Sequence, residues 1–371
     1  MRILYFSRNY TPHDFRFLNS LSKTEHKIFY LKLEANQRQV EDRPVPENVQ
    51  QIPWAGGQRD FRWSDLPRFV LDFRRIVNRV KPDIIHAGPI QTCAFISVLS
   101  GFRPILTKSW GYDLVKDADS SKWMQWVTRY TLKRSAFFTS DANVTRDKAV
   151  SFGMNPENVV IFPWGVNIER FAPRKKVSSQ KSKVKGRKSM TLFCSRTWEE
   201  IYGVDVLAKA FVKVAGVNPD VNLILLGGGS KGTKIRRILM NGGVMDRVHF
   251  GGQVGQRELP RWYHMADVYI SPSHVDGSSV SLLEALACGM PSIVSDIAGN
   301  KEWIEEGVNG WTFRDGDADD LAEKILYAIK NRSLFKKIST SARMTAEERA
   351  DWKKNFDKLL DAYNTVITRE R

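Results

Sequence analysis

The feature that most constrains this chain is an alternation of short apolar runs with helical periods, completed twice. In the first half, predicted strands fall at 2–7 (RILYFS), 27–33, 83–87, 104–108, 136–140 and 158–162. Helical periods lie between them, near 14–22, 65–80, 89–100, 121–134 and 143–151. The pattern then restarts, with strands at 190–195, 221–226, 247–250, 267–271 and 291–295. Helices follow near 203–216, 231–240, 256–265, 279–288, 300–306 and 317–330. Runs that are apolar throughout belong to strands covered on both faces, which is what βαβ crossovers give a parallel sheet. The expectation is α/β: two doubly wound, Rossmann-like domains, one over 1–173 and one over 189–345. In such sheets ligands bind outside the carboxyl ends of the strands, so two domains facing each other would make a cleft there. Over 346–368, Trp352, Phe356, Leu359, Leu360, Tyr363 and Ile367 recur at 3–4 spacing. That amphipathic helix lies beyond the last α/β unit, so it needs another surface to bury its stripe.

At 371 residues and 42% hydrophobic, the chain can bury two cores. No run of about 18 uncharged apolar residues occurs, so no transmembrane helix is expected. The start, MRILYFSRNY, reads as a buried strand and is too short and charged for a signal peptide. Cys93, Cys194 and Cys288 stand far apart with no CxxC, which suggests a reducing, cytoplasmic setting without zinc ribbon or disulfides. The net charge of +16 is uneven. Residues 1–173 carry 25 Lys/Arg against 17 Asp/Glu, the linker 174–188 carries eight bases and no acid, and the remainder is neutral. A basic first half favours phosphates, anionic lipid or nucleic acid. The ordinary reading of the linker is a solvated loop.

The loop after the first strand, SRNYTPHD, holds no glycine, so a first-domain dinucleotide fingerprint is excluded. Gly227-Gly228-Gly229 follows a strand but lacks the GK[ST] ending of a phosphate loop. The most informative stretch is 271–302. A strand ends at Ser271, and a turn of small residues, Asp276-Gly277-Ser278-Ser279, opens a helix that carries Glu284. Free N–H groups at a helix start favour an anion. Side chains lean toward the helix start, so Glu284 can reach back and accept hydrogen bonds from a diol held at the turn. The plain alternative is a serine cap with Glu284 solvated. Aromatic and basic residues interleave over 61–80 and 123–134, which suits either an anionic membrane surface or ordinary core packing. No histidine spacing supports a metal site.

The stretch 271–302 resembles the donor site of the GT-B glycosyltransferases of family 4. Their E-x7-E motif is present here as Asp276…Glu284, followed by Ala287-Cys288-Gly289-Met290-Pro291 and by Ala298-Gly299-Asn300 with Glu302. Val204-Asp205, LLGGG at 225–229, VHFGGQV at 248–254 and Asn309-Gly310 extend the likeness over most of the chain. The resemblance implies a retaining, metal-independent transferase with a nucleotide-sugar donor. Its acceptor would be a glycan or a lipid-linked precursor in polysaccharide or glycolipid synthesis. The expected location is cytoplasmic, and the basic first half with its aromatic stretches adds the option of peripheral contact with the inner face of the membrane. The resemblance implies that Glu284 holds the ribose hydroxyls and that Asp276 lies near the transferred sugar. Backbone N–H groups of Gly277, Ser278 and Ser279 would meet sugar and phosphates, Gln253 and Val254 would flank the base, and Arg196 would bind the diphosphate. It also implies a last helix that crosses back to the first domain.

Three positions depart from the family pattern. Tyr202 stands where a second diphosphate-binding Lys is usual, so Lys301 is the expected substitute. Trp110-Gly111-Tyr112-Asp113 replaces a His-Gly pair while keeping Asp113, which is expected among the catalytic residues. The strand-1 loop lacks its glycines and presents His13 instead; with His86 and Trp110 this residue is expected on the acceptor side. The rival reading is a non-catalytic polyanion or nucleic-acid binder on the same scaffold. The neutral second half and the intact Arg196, Asp276 and Glu284 oppose it, and nucleic acid is not the expected partner.

Overall fold

A computed structural model describes residues 1–35, 41–174 and 189–370. The linker residues 175–188, with most of their positive charge, lie outside the described residues. The chain forms two compact units, one of Met1–Pro163 with Lys354–Arg371 and one of Trp164–Lys353.

The first unit contains strands β1 (Arg2–Ser7), β2 (Lys27–Lys32), β3 (Val49–Gln51), β4 (Ile84–Gly88), β5 (Ile105–Lys108), β6 (Phe137–Ser140) and β7 (Val159–Ile161). They make one parallel sheet in the order β3-β2-β1-β4-β5-β6-β7. The six expected strands are all present. β3 adds a short edge that the sequence does not announce, since of its three residues only Val49 is buried. The helix Leu66–Val80 turns Phe69, Phe73, Ile76 and Val80 into a core with Leu4, Phe6, Ile85 and Ile105. Core packing is therefore the role of that helix's apolar stripe.

The second unit contains β8 (Met190–Cys194), β9 (Val221–Leu226), β10 (Val248–Gly252), β11 (Val268–Ser271), β12 (Ser292–Ser295) and β13 (Gly310–Phe313). All are parallel, in the order β10-β9-β8-β11-β12-β13. Here β13 is the strand not foreseen. One face of the sheet packs on helices Val204–Val217 and Ala318–Lys330, the other on Val280–Ala287 and Phe335–Arg349.

The stretch expected as one helix over 346–368 is two, Phe335–Arg349 and Trp352–Glu370. The break is held by Val166, whose N–H donates to Ala350 O at 2.7 Å while its carbonyl accepts from Trp352 N at 3.0 Å. This ladder keeps Trp164–Val166 with the second unit, so the first unit ends at Pro163 where the charge pattern drew a boundary at 173. Beyond Lys353 the last helix belongs to the first unit. Phe356, Leu359, Tyr363 and Val366 are buried, Asn355 Nδ2 donates to Pro163 O at 2.8 Å, and Arg369 Nη1 donates to Asn158 Oδ1 at 2.8 Å. Among the described residues no helix is long and apolar enough to cross a membrane.

Candidate functional site

In the second sheet β8 and β11 are hydrogen-bonded neighbours from which the chain departs in opposite directions, to β9 and β10 on one side and to β12 and β13 on the other. Loops leaving two such strands diverge and open a crevice at their carboxyl ends. Arg196 follows β8 by two residues, and the turn Asp276–Ser279 follows β11. The two meet. Arg196 Nη2 pairs with Asp276 Oδ2 at 2.6 Å, and Nη1 donates to Ser279 Oγ at 2.8 Å and Ser281 Oγ at 3.1 Å. The guanidinium carbon sits 4.1 Å from the centre of the Tyr202 ring. Its Nε is buried and has no acceptor among the described residues. Burial is the largest single influence and would lower the Arg196 pKa, but the Asp276 carboxylate together with Tyr202, Tyr269 and Cys194 outweighs it and holds the group above its ordinary value. Neither Glu199 nor Glu200, the near neighbours in sequence, is its partner; Glu199 binds Ser230 and Glu200 pairs with Lys231.

Ser279 stands at the cap position of the helix Val280–Ala287, yet its side chain makes no cap hydrogen bond. The hydroxyl is given to Arg196 instead. Ser278 Oγ accepts from Trp303 Nε1 at 3.0 Å, which pins the turn from behind. Gly299 supports it from below: a Cβ there would collide with the carbonyl oxygens of Asp276 and Gly277. At Gly203, whose φ of +57° itself favours glycine, a Cβ would strike Pro272 O. Both glycines let backbone close on the loop after β11.

Glu284 is one turn into the helix and is 2% exposed, so the solvated alternative does not hold. Its Oε2 lies 2.9 Å from Tyr263 Oη, which is also 2.9 Å from Ser281 O. Tyr263 stacks edge-on against Phe193 of β8 with centroids 4.9 Å apart. Tyr263 and Tyr269, whose hydroxyl donates to Ser281 Oγ at 2.7 Å, therefore form the wall behind the acid pair. Sequence reading missed both, although each is an apolar-looking residue with a polar tip in a strand or helix facing the site. Gln253 is exposed and Val254 half-buried in the loop after β10, on the same carboxyl side of the sheet. Lys301 is exposed at the end of the short helix Ala298–Lys301. Among the described residues no three His, Cys, Asp or Glu side chains gather as a metal site.

The family described as "Glycosyl transferases group 1" matches over residues 174–345, and "Glycosyl transferase 4-like" matches over 2–142. The chain belongs to the GT-B glycosyltransferases of family 4. It is 24% identical to a D-inositol 3-phosphate glycosyltransferase of Paenarthrobacter aurescens, with 94% of this chain and 90% of that protein covered. It is 25% identical to the enzyme of the same name from Geodermatophilus obscurus, covering 61% of this chain and 51% of the relative. It is 28% identical to a phosphatidyl-myo-inositol mannosyltransferase of Mycobacterium leprae, over 57% of this chain and 54% of that protein. The chain thus spans about half the length of two of these relatives. Among solved structures, sucrose-phosphate synthase from Thermosynechococcus elongatus superposes over both whole chains with a TM-score of 0.83 at 16% identity. Anabaena HepE, solved with UDP-glucose, superposes over 98% of this chain and all of its own with a TM-score of 0.79 at 16% identity. These structural likenesses speak to fold alone, and the fold they share is GT-B.

In the first unit of this family 4 glycosyltransferase the expected residues divide. Asp113 is buried and turned into its own loop: Ile90 N donates to it at 3.1 Å, Trp110 N at 2.8 Å, and Ser109 Oγ also donates. Burial pushes its pKa up to about 6 against the pull of those donors. The carboxylate is spent on holding the loop after β5, so Asp113 is a positioning residue and is not placed to touch substrate. His86 lies within β4, fully buried, with Nδ1 2.6 Å from Tyr363 Oη and its ring between Tyr5 and Phe17. Burial and the nearby Lys108 keep it neutral. It is a core residue that docks the last helix, which corrects its expected acceptor-side role. His13 and Trp110 do come together, edge to face at 6.5 Å. His13 lies in the first turn of the helix Pro12–Leu21 and not in the strand-1 loop where the sequence reading places it, because a capping box starts the helix early: Thr11 caps it, and Asp14 accepts from Thr11 N at 3.0 Å. Asp14 in turn pairs at 3.5 Å with Lys108, a lysine only 1% exposed that the sequence reading passed over as a strand end.

Proposed function

We propose that this protein transfers a hexose from a nucleotide-sugar donor to a glycan or lipid-linked acceptor, with retention of anomeric configuration and without a metal or other cofactor. The observation that carries the reading is the convergence of Arg196, Asp276 and the Ser278–Ser279 turn at the point where β8 and β11 diverge. A diphosphate needs cations and N–H donors, a ribose needs a carboxylate, and this crevice supplies each from a rigid element. Arg196 offers its unused Nε and a guanidinium already fixed by Tyr202. Glu284 accepts from the ribose hydroxyls, backbone N–H groups of Gly277, Ser278 and Ser279 meet the phosphates and sugar, and Gln253 and Val254 flank the base. Asp276 changes partner, from Arg196 to a hydroxyl of the transferred sugar. Lys301 provides the second cation in place of the usual Lys. The sugar–phosphate bond breaks as the acceptor hydroxyl approaches from the same face, and the departing phosphate takes the acceptor proton. Catalysis is then mostly positioning and preorganised charge.

Anabaena HepE was solved with UDP-glucose, so UDP-sugars are the first donors to try. Two relatives are named for inositol phosphate and phosphatidylinositol acceptors, which supports a polyol acceptor bearing phosphate or lipid. The basic excess of the first 173 residues suits such an acceptor and peripheral contact with the inner, anionic face of a membrane during polysaccharide or glycolipid synthesis. The test is to incubate the protein with UDP-, GDP- and ADP-sugars and inositol 3-phosphate, measure nucleoside diphosphate release, and read the product's anomeric coupling by NMR. The expected result is turnover of at least one donor with the donor's anomeric configuration kept. No donor consumed, together with tight heparin or nucleic-acid binding, would favour the polyanion binder instead.

A further inference from the structure

The first unit carries an aromatic ladder on its surface. Phe61 meets Trp63 at 5.2 Å, Trp63 meets Trp123 at 5.6 Å, Trp123 stacks on Trp126 at 5.1 Å, and Trp126 meets Tyr130 at 5.0 Å. The ladder joins the short helix Trp63–Asp65 to the helix Lys122–Leu132, and buried Phe95 backs it at about 6 Å from Trp63, Trp126 and Tyr130. Trp123 and Trp126 remain 48% and 47% exposed. A contiguous pair of half-exposed indoles is rare on a surface that meets only water. Several bases flank them. Arg62, Lys116 and Lys122 are exposed and make no ion pair among the described residues, and the guanidinium of Arg134 lies 3.7 Å over Tyr130. Of the acids in the same stretches, Asp65 pairs with Arg59 and Asp119 with Lys148, and Asp60 and Asp117 lie there too.

We infer that this ladder is the face by which the protein docks on an anionic lipid bilayer, the indoles entering the headgroup layer and Arg62, Lys116 and Lys122 meeting lipid phosphates. The inference rests on the peripheral membrane contact proposed above and names its surface. Amphipathic rings flanked by bases are what a headgroup layer selects. A sugar-binding platform fits less well. Trp123 and Trp126 stack on one another at an interplanar angle of 19°, which closes one face of each, and the unpaired groups around them are cations where sugar hydroxyls call for carboxylates and amides.

The full-length protein is mixed at low salt with phosphatidylcholine vesicles, with and without phosphatidylglycerol, and sedimented. Binding is expected only with phosphatidylglycerol. Trp123→Ala/Trp126→Ala should weaken it by about tenfold or more. Trp123→Phe/Trp126→Phe should keep most of the binding yet lose part of the fluorescence quenching by brominated lipid, a readout that misfolding does not imitate. UDP binding by both pairs checks the rest of the molecule. If anionic vesicles bind the alanine pair as well as the parent, this face is wrong and the peripheral reading stands. If the parent binds no vesicle, both fall. Concentration-dependent dimerisation, or saturable binding of a soluble oligosaccharide, that is lost in the alanine pair while vesicle binding is not, would reassign the ladder to that partner.

Discussion

The guanidinium carbon of Arg196 lies over the Tyr202 ring, 4.1 Å from its centre, while its Nη2 holds Asp276 at 2.6 Å. The residue that replaces the usual lysine thus contributes no charge of its own and instead fixes the cation next to it. A cation held over an aromatic face is worth roughly 0.5–2 kcal/mol. Charge develops on the leaving phosphate as the sugar bond breaks, so the Arg196 contact should strengthen toward the transition state. Arg196→Ala should lower kcat by about 10²–10³, and Arg196→Lys should restore only part, lacking the two-pronged geometry. Tyr202→Phe should stay near the parent, whereas Tyr202→Leu should lose several-fold in kcat. Tyr202→Lys should rescue some rate in the Arg196→Ala background. Steady-state kinetics with saturating donor decides this, and an Arg196→Ala enzyme within a few-fold of the parent would remove the leaving-group role.

Glu284→Ala should weaken nucleotide binding at least about tenfold, because hydrogen bonds to a charged group are worth roughly 1.5–3 kcal/mol each. Glu284 also accepts from Tyr263 inside the core, so the same change should lower the melting temperature. Tyr263→Phe separates the two effects. It should cost stability while leaving most of the nucleotide affinity, as read by calorimetric titration and thermal melting.

Gly299→Ala tests the turn without touching a polar group. The added methyl would press on the carbonyls of Asp276 and Gly277. Donor affinity should fall while Gly216→Ala, where a Cβ meets nothing, should leave it unchanged.

Asp113 has a folded pKa raised to about 6, chiefly by burial. The native state therefore holds this proton more tightly than the unfolded chain. The associated stability is fully present below the ordinary aspartate value of about 3.9 and is lost as pH rises through about 6. A rise of that size corresponds to about 3 kcal/mol at most. Urea unfolding of the parent and of Asp113→Asn, at pH 4 and pH 7, should show the parent losing ground to the variant as pH rises. A constant difference between the two would contradict this burial cost.

Tyr363→Phe should destabilise the first unit by about 1–3 kcal/mol, since buried His86 would lose the hydroxyl at its Nδ1. Tyr363→Ala adds a cavity and should cost more, about 3–5 kcal/mol in all. Urea unfolding followed by tryptophan fluorescence reads both; no loss in either would mean the last helix is only loosely seated.

Most of the fold is legible because buried parallel strands write themselves as continuous apolar runs. β1, β4, β8 and β9 announce their positions that way, while β3, with only Val49 buried, has too little apolar content to register. The site is legible to the extent that its parts are local. The spacing of Asp276 and Glu284 puts one in the turn before a helix and the other one turn inside it, whereas the capping box of Thr11 and Asp14 reads as loop. What the sequence does not contain is pairing across the fold. Arg196 and Asp276 are 80 residues apart, and His86 and Tyr363 are 277 apart. Asp113 looks like a free acid in sequence and becomes a loop brace only when Ile90 and Ser109 are brought to it.

The most direct test is a calorimetric titration of the full-length protein with UDP, GDP and ADP, repeated on Glu284→Ala and Arg196→Ala. One-to-one binding of at least one nucleoside diphosphate, weakened about tenfold or more in each variant, is the expected result. No binding of any of the three by the parent, or binding that neither variant alters, would contradict a donor site at the ends of β8 and β11.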